Sequence, residues 1–315
     1  MTSDAYTEAW LTGPQSTKFY TRTYLAPTDT SKAVLVFVHG FAEHVGRYTQ
    51  AHPVLAARGV NVFAFDERGF GKTALDEANK SKTSAYGKTS AADQMVDIAW
   101  ALGHAAGAFP GLPLFLMGHS MGGGEVLSFS SRRPEDASKL AGVISSSPLV
   151  HQTKPASKAA RWAGGIAGVL FPYMPIPAAV DYNALSHDPD YNKLCSKDPL
   201  AKLQGTLRGV GDMLNWGEML LISQYHKWPK SLPVLFLHGS GDEVASHSAT
   251  QKFHDKIVCD NKKIIIYPGG FHELVHEPSH REKLFDDIMT FIEEHIPAKE
   301  TNPVAESSGP AESKL

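Results

Sequence analysis

Leu114-Phe115-Leu116-Met117-Gly118-His119-Ser120-Met121-Gly122 runs from an unbroken apolar segment directly into a G-x-S-x-G pattern. Residues 113–117 have the length and composition of a strand buried on both faces, and residues 121–132 have helical spacing. A sharp strand-to-helix turn between them lifts the Ser120 oxygen above a sheet. Glycine at 118 and 122 spares that turn the clashes a side chain would bring. A chain with 27 glycines can produce a bare G-x-S-x-G by accident, so the flanking strand and helix carry the reading. The bland alternative is a serine in a structural turn.

The same alternation extends outward. Toward the N-terminus, residues 33–39 (Ala-Val-Leu-Val-Phe-Val-His) and 60–65 read as buried strands. Residues 45–58 read as a helix stopped by Gly59, and 89–109 as a helix capped by Ser90 with Asp93. Toward the C-terminus, 142–145 belong to the next strand. After an interruption, 233–238 and 263–267 read as strands, with helices at 246–257 and 279–295. Strands alternating with helices imply an α/β fold with a mostly parallel sheet covered on both faces. The interruption carries Pro155, Pro172, Pro175, Pro177 and Pro189, with short apolar helical pieces such as 159–171. It reads as an inserted, mainly helical cap. The expected organisation is a core in two parts (1–150 and 231–296), a cap at 151–230 and a tail at 297–315. The tail lacks apolar periodicity and is expected to be disordered.

Bulk composition narrows the function. The 315 residues are 42% hydrophobic and 20% charged, enough to bury a large core. A net charge of −3 supplies no basic field for nucleic acid, so no nucleic-acid partner is expected. Cys195 and Cys259 form no C-x-x-C pair and read as reduced thiols. Residues 1–10 include Asp4 and Glu8 and lack the basic-then-apolar pattern of a signal peptide. No apolar run reaches eighteen residues. These features predict a soluble intracellular protein.

A serine hydroxyl becomes nucleophilic near neutral pH only with a base beside it and an acid that orients the base. Two later strands each end in a loop that offers one. Leu237-His238-Gly239-Ser240-Gly241-Asp242 ends in Asp242, and Tyr267-Pro268-Gly269-Gly270-Phe271-His272 ends in His272. Loops beyond the carboxyl ends of parallel strands gather at one sheet edge. Ser120 is thus the expected nucleophile, His272 the base and Asp242 its orienting carboxylate. The oxyanion donors expected are the backbone N–H of Met121 and one from the loop His39-Gly40-Phe41-Ala42-Glu43-His44, best Phe41. Epoxide and haloalkane hydrolysis are disfavoured, because those chemistries place an aspartate at the nucleophile position.

These segments resemble the monoacylglycerol lipase family and its fungal members, which have the α/β-hydrolase fold. The matching pieces are His39 to His44 with Arg47-Tyr48, Phe65-Asp66-Glu67-Arg68-Gly69-Phe70-Gly71 and Gly118-His119-Ser120-Met121-Gly122-Gly123. Asp198-Pro199, His238 to Asp242 and Tyr267 to His272 complete them. The similarity runs from about residue 15 to 296, and H-G-x-x-E-H-x-x-R-Y is its specific part. The resemblance implies hydrolysis of monoacylglycerol to glycerol and fatty acid without metal or cofactor, under an apolar cap that admits the acyl chain. It also implies that Glu43, Arg47 and Tyr191 lie near the glycerol end of the site. Glu43 and Arg47 read equally well as an ion pair within their loop. Within ester hydrolases, a lysophospholipase or a broad carboxylesterase is the alternative.

Three further readings come from the residues themselves. Residues 162–173, apolar in the middle and aromatic at the ends, suit contact with a lipid surface or plain packing onto the core. His272-Glu273-Leu274-Val275-His276 spells the zinc motif H-E-x-x-H, but Gly269-Gly270 before it and Pro278 after it disfavour the helix which that site needs. A non-catalytic binding protein of the same fold usually lacks one triad member, and here all three are present. The chain ends in Ser313-Lys314-Leu315, a peroxisomal address, so an import receptor is an expected partner and the peroxisome the expected location, with a cytosolic or lipid-associated pool.

Overall fold

The computed structural model describes residues 5–155, 157–178 and 180–296. The tail with its Ser313-Lys314-Leu315 tripeptide lies outside the described residues.

The chain opens with an antiparallel pair that the apolar pattern did not announce, β1 (Thr7–Thr12) and β2 (Lys18–Tyr24). β1 mixes Thr and Glu with Trp, and β2 mixes Lys, Thr and Arg with Phe and Tyr, as suits strands toward a partly solvated end of the sheet. β3 (Ala33–Val38) follows, buried at every position. The single helix expected over 45–58 is instead a 3-10 turn at Val45–Tyr48 and a short α1 (His52–Ala57). Two features divide it. Pro53 sits in the first turn of α1, where its missing N–H costs nothing. The Val45 N–H is committed to the Asp66 carboxylate at 2.8 Å rather than to a preceding turn.

β4 (Val60–Phe65), α2 (Gly71–Leu75) and α3 (Ala91–Ala108) come next. The Ser90 hydroxyl accepts from the Asp93 N–H and caps α3, as its sequence suggested. β5 (Leu114–His119), α4 (Met121–Arg132), α5 (Pro134–Ala137) and β6 (Gly142–Ser146) complete the first part of the sheet. The chain then leaves the sheet for α6 (Lys158–Leu170), β7 (Pro175–Pro177), α7 (Pro189–Ser196), β8 (Gln204–Thr206) and α8 (Leu207–Ile222). This inserted segment is mainly helical, with a small antiparallel β7–β8 ribbon that the sequence did not reveal. It returns through β9 (Val234–Gly239), α9 (His247–Lys256), β10 (Lys262–Tyr267) and α10 (Arg281–Glu294).

The eight-stranded sheet has the order β1-β2-β4-β3-β5-β6-β9-β10. From β4 to β10 all neighbours are parallel, and β2 joins β4 antiparallel. The period of two in each strand divides the core in half. Val34, Val36, Leu114 and Leu116 pack on one face, while Leu35, Phe37, Phe115 and Met117 pack on the other. Each such side chain contributes about 1.5–3 kcal/mol by leaving water. That two-sided burial aligns the carboxyl ends of β3, β5, β6 and β9, and β10 is hydrogen-bonded in parallel beside β9. α8 docks closely above them: a β-carbon at Gly217 would crowd the Leu149 and Val150 carbonyls.

Candidate active site

Ser120 joins β5 to α4 with φ 55° and ψ −116°, a conformation that a residue with a β-carbon adopts only under strain of about 1–3 kcal/mol. Neighbouring backbone holds it there. The Ser120 N–H donates to the Ser146 carbonyl at 3.0 Å, and the Ser120 carbonyl accepts from Gly124 at 3.0 Å and Leu149 at 2.9 Å. The two glycines of the motif are sterically required. A β-carbon at 118 would overlap the Gly122 carbonyl, and one at 122 would overlap the carbonyls of Val38 and His39.

Ser120 Oγ lies 2.8 Å from His272 Nε2, and His272 Nδ1 lies 2.7 Å from Asp242 Oδ2. All three residues are buried. Asp242 Oδ1 accepts from the Val244 and Ala245 N–H groups at 2.8 Å each, and Oδ2 is also 3.0 Å from His238 Nε2. Burial opposes ionisation of Asp242, but the charge of His272 and the bonds from His238 and His272 outweigh it and hold the carboxyl well below its usual range. The loop bearing His272 is tied down as well, since Ser147 Oγ donates to the His272 carbonyl at 2.7 Å. A base in contact with the hydroxyl and an ionised acid behind the base can generate a nucleophilic alkoxide.

The loop after β3 lies against this line. A β-carbon at Gly40 would sit 3.1 Å from the Ser120 β-carbon. Glu43 organises the loop: its Oε2 accepts from the Gly40 N–H at 3.0 Å and the Tyr48 hydroxyl at 2.7 Å, while Arg47 donates to its Oε1 at 3.2 Å. Glu43 and Arg47 therefore form the ion pair that sequence offered as one of two readings, and both also line the cavity above Ser120. Phe41 lines it too. Met121 opens α4, so its N–H belongs to the first turn, where helix donors have no intrahelical partner.

That cavity has a volume of about 240 Å³, and Ser120 and His272 are among the residues that line it. Leu149, Val180, Leu185, Val210, Met213 and Leu214 give it apolar walls, most of them from the inserted segment. A larger hollow of about 410 Å³ opens beside Pro113 and Leu140, at the amino end of β5 and away from Ser120. Tyr191, expected near the glycerol end, does not line the Ser120 cavity. It is buried in α7 with its ring stacked on His276 at 3.9 Å, near enough to Arg47, Glu43 and Glu273 to interact with them electrostatically.

The H-E-x-x-H string does not behave as a zinc site. Both His272 nitrogens are engaged by Ser120 and Asp242, and residues Leu274–His276 form a single 3-10 turn rather than a helix. Sequence reasoning passed over three side chains. His238, at the end of β9, supports Asp242; His119, before Ser120, and Glu273, after His272, face each other with 3.5 Å between Nε2 and Oε2. Their only signal was adjacency to the residues singled out.

A parallel sheet with Ser120, Asp242 and His272 at its carboxyl edge and an inserted helical segment above defines the α/β-hydrolase fold. The chain belongs to the family described as "Serine aminopeptidase, S33" (Hydrolase_4), whose model matches residues 29–279, and within it to the monoglyceride lipase-like serine hydrolases. It is a carboxylic ester hydrolase. The Mycolicibacterium smegmatis "Monoacylglycerol lipase" is 27% identical, over 86% of this chain and 91% of its own. The Homo sapiens "Monoglyceride lipase" is 26% identical over 85% of each chain. Among solved structures, a soluble variant of monoglyceride lipase from Saccharomyces cerevisiae, in complex with a substrate analog, is similar with a TM-score of 0.80 and 22% identity. The match covers 95% of this chain and 97% of that one.

Proposed function

We propose that this chain hydrolyses monoacylglycerol to glycerol and free fatty acid through an acyl-Ser120 intermediate. The observation that carries the reading is the continuous line Ser120 Oγ–His272–Asp242, with Ser120 and His272 lining an apolar cavity. Ser120 Oγ attacks the ester carbonyl carbon as its proton passes to His272 Nε2, and Asp242 stabilises the imidazolium. The oxyanion meets the N–H groups of Phe41 and Met121, each worth roughly 10²–10³ in turnover. Collapse of the intermediate expels the alcohol, which leaves with the proton from His272. Water, deprotonated by His272, then releases the acid. The proton transfers run through Ser120, His272 and Asp242, which are already in contact.

The cavity walls support the substrate class. Their apolar residues suit an acyl chain, while Glu43, Arg47 and Glu273 bring donors and acceptors to the same space without a net excess of one charge once His119 is protonated. A neutral polyol can use these donors and acceptors as they stand, whereas the phosphate of a phosphocholine head group would need a free cation, and Arg47 is paired with Glu43. Peptide cleavage, which the family description names, asks for a free carboxylate to hold a terminal ammonium; here Glu43 is paired with Arg47, and Glu273 with His119.

Delivery of the substrate belongs to the same proposal. Trp162, Ile166, Val169, Leu170 and Tyr173 are exposed and recur at helical spacing along and just beyond α6, forming an apolar strip that suits a lipid surface. Ser313-Lys314-Leu315 would direct the protein to the peroxisomal import receptor, where released fatty acid is oxidised.

Turnover of oleoylglycerol, lysophosphatidylcholine and a short nitrophenyl ester by the purified protein tests the reading, with and without a fluorophosphonate or a zinc chelator. Fastest cleavage of oleoylglycerol, abolished by fluorophosphonate and indifferent to chelator, is expected. Preference for lysophosphatidylcholine would make it a lysophospholipase. Activity on the nitrophenyl ester alone would make it a broad carboxylesterase. For the address, a fluorescent chain that stays diffuse with or without Leu315 would exclude import.

A further inference from the structure

Three side chains outside the catalytic line are buried in one cluster: Glu43, His119 and Glu273. Each is tied by sequence to a different working part. His119 immediately precedes Ser120, Glu273 immediately follows His272, and Glu43 lies two residues after Phe41. His119 Nε2 stands 3.5 Å from Glu273 Oε2 and 3.9 Å from Glu43 Oε1. His119 Nε2 and both Glu273 oxygens have no hydrogen-bond partner at closer range. What holds them together is charge in a medium of low dielectric, where an ion pair is strong and an abandoned partner is costly.

We infer that His119, as an imidazolium held between Glu273 and Glu43, is a positioning residue that fixes the nucleophile turn, the base loop and the oxyanion loop relative to one another. The inference rests on the triad reading above. Charge counting supports it. Arg47, 3.2 Å from Glu43 and 3.9 Å from Asp198, already serves two carboxylates; with His119 neutral Glu273 would have no cation of its own, and with His119 protonated it has one at 3.5 Å. The three donor atoms lie within 4.8 Å of one another and would also suit a divalent cation, but the Arg47 guanidinium already occupies that electrostatic role.

The groups that face His119 are the carboxylates of Glu273, Glu43 and Asp242, the His276 ring, and the His272 ring, 4.9 Å away between centroids. Burial alone would strip its proton. The carboxylates, Glu273 first, outweigh burial and push His119 up to about 9. The charged cluster is therefore intact below that pH and lost as pH rises through it.

The test is the pH dependence of kcat/KM on a nitrophenyl ester for the parent, Glu273→Gln and His119→Gln, with melting temperature and fluorophosphonate labelling at Ser120 read in parallel. In the parent, activity should fall on the alkaline side with an apparent pKa near 9. In Glu273→Gln burial prevails, and that limb should move down by at least about one unit. In His119→Gln the limb should vanish. A purely structural cluster would lower activity equally at every pH. An unmoved limb in Glu273→Gln, with Ser120 labelled in the parent, would overturn this inference alone. A parent that does not label at Ser120 would overturn the triad reading and this one with it. Nuclear magnetic resonance of the His119 ring in the parent requires no variant. Titration near 9 supports the assignment, and a neutral ring at pH 7 refutes it, as would activity lost to a chelator and restored by zinc.

Discussion

At the carboxyl edge of the sheet, Ser120, His272 and Asp242 are buried, and the hydrogen bonds to their side chains are 3.0 Å or shorter. On α6, Trp162, Val169 and Leu170 are 72%, 79% and 67% exposed, with no described side chain covering them. The first region is over-determined: strand register, two obligatory glycines and a strained serine leave one arrangement. The second is under-determined, an apolar face of the kind that marks contact with another phase or partner. Bond-making chemistry requires atoms fixed to fractions of an ångström. Taking a lipid from a surface requires apolar groups whose partners are not within the molecule.

Substitutions in the two regions should therefore separate cleanly. Ser120→Ala should lower turnover of every ester roughly a millionfold while leaving the melting temperature close to that of the parent. Activity within about tenfold would dissolve the contrast at its strongest point. Asp242→Asn should lower kcat about 10⁴-fold, because the amide cannot hold the imidazolium or fix its tautomer; a loss in KM alone would show that Asp242 binds rather than orients. Phe236→Ala removes a fully buried ring of β9 that packs edge-on against Phe253, and urea unfolding should show a loss of about 3–5 kcal/mol. The paired change Trp162→Ser and Val169→Ser should leave unfolding within about 0.5 kcal/mol and nitrophenyl ester turnover unaltered. Vesicle sedimentation of that variant should weaken by about tenfold or more, since each side chain withdrawn from an apolar phase is worth about 1.5–3 kcal/mol. Unchanged sedimentation would mean that the strip on α6 faces something other than lipid.

Legibility in the sequence followed the same division. β3, β5 and β9 are continuous apolar runs, and a strand buried on both faces leaves no other pattern. Ser120 and Asp242 could be placed because each follows such a strand, and His272 because it follows the shorter apolar run of β10. β1 and β2 escaped notice because their alternation of Thr, Lys and aromatics resembles a polar N-terminal segment until the sheet edge supplies a partner. The run 45–58 looked helical because apolar spacing does not register where Val45 spends its N–H. Tyr191 was placed by resemblance, and its stacking on His276 depends on how α7 settles, which no local pattern encodes. His119 and Glu273 meet across nearly half the length of the chain. Glu273 was moreover read only as the centre of a zinc string, a context that its buried partner replaces.

The positive φ of Ser120 carries one more consequence. Glycine adopts such a conformation freely, so Ser120→Gly should relieve strain and raise stability by about 1 kcal/mol while removing the reaction. Selection for heat resistance alone, with nothing to hydrolyse, would be drawn toward that replacement. The serine persists at this turn against the thermodynamic gradient, which makes residue 120 the place where the molecule gives up robustness in exchange for work.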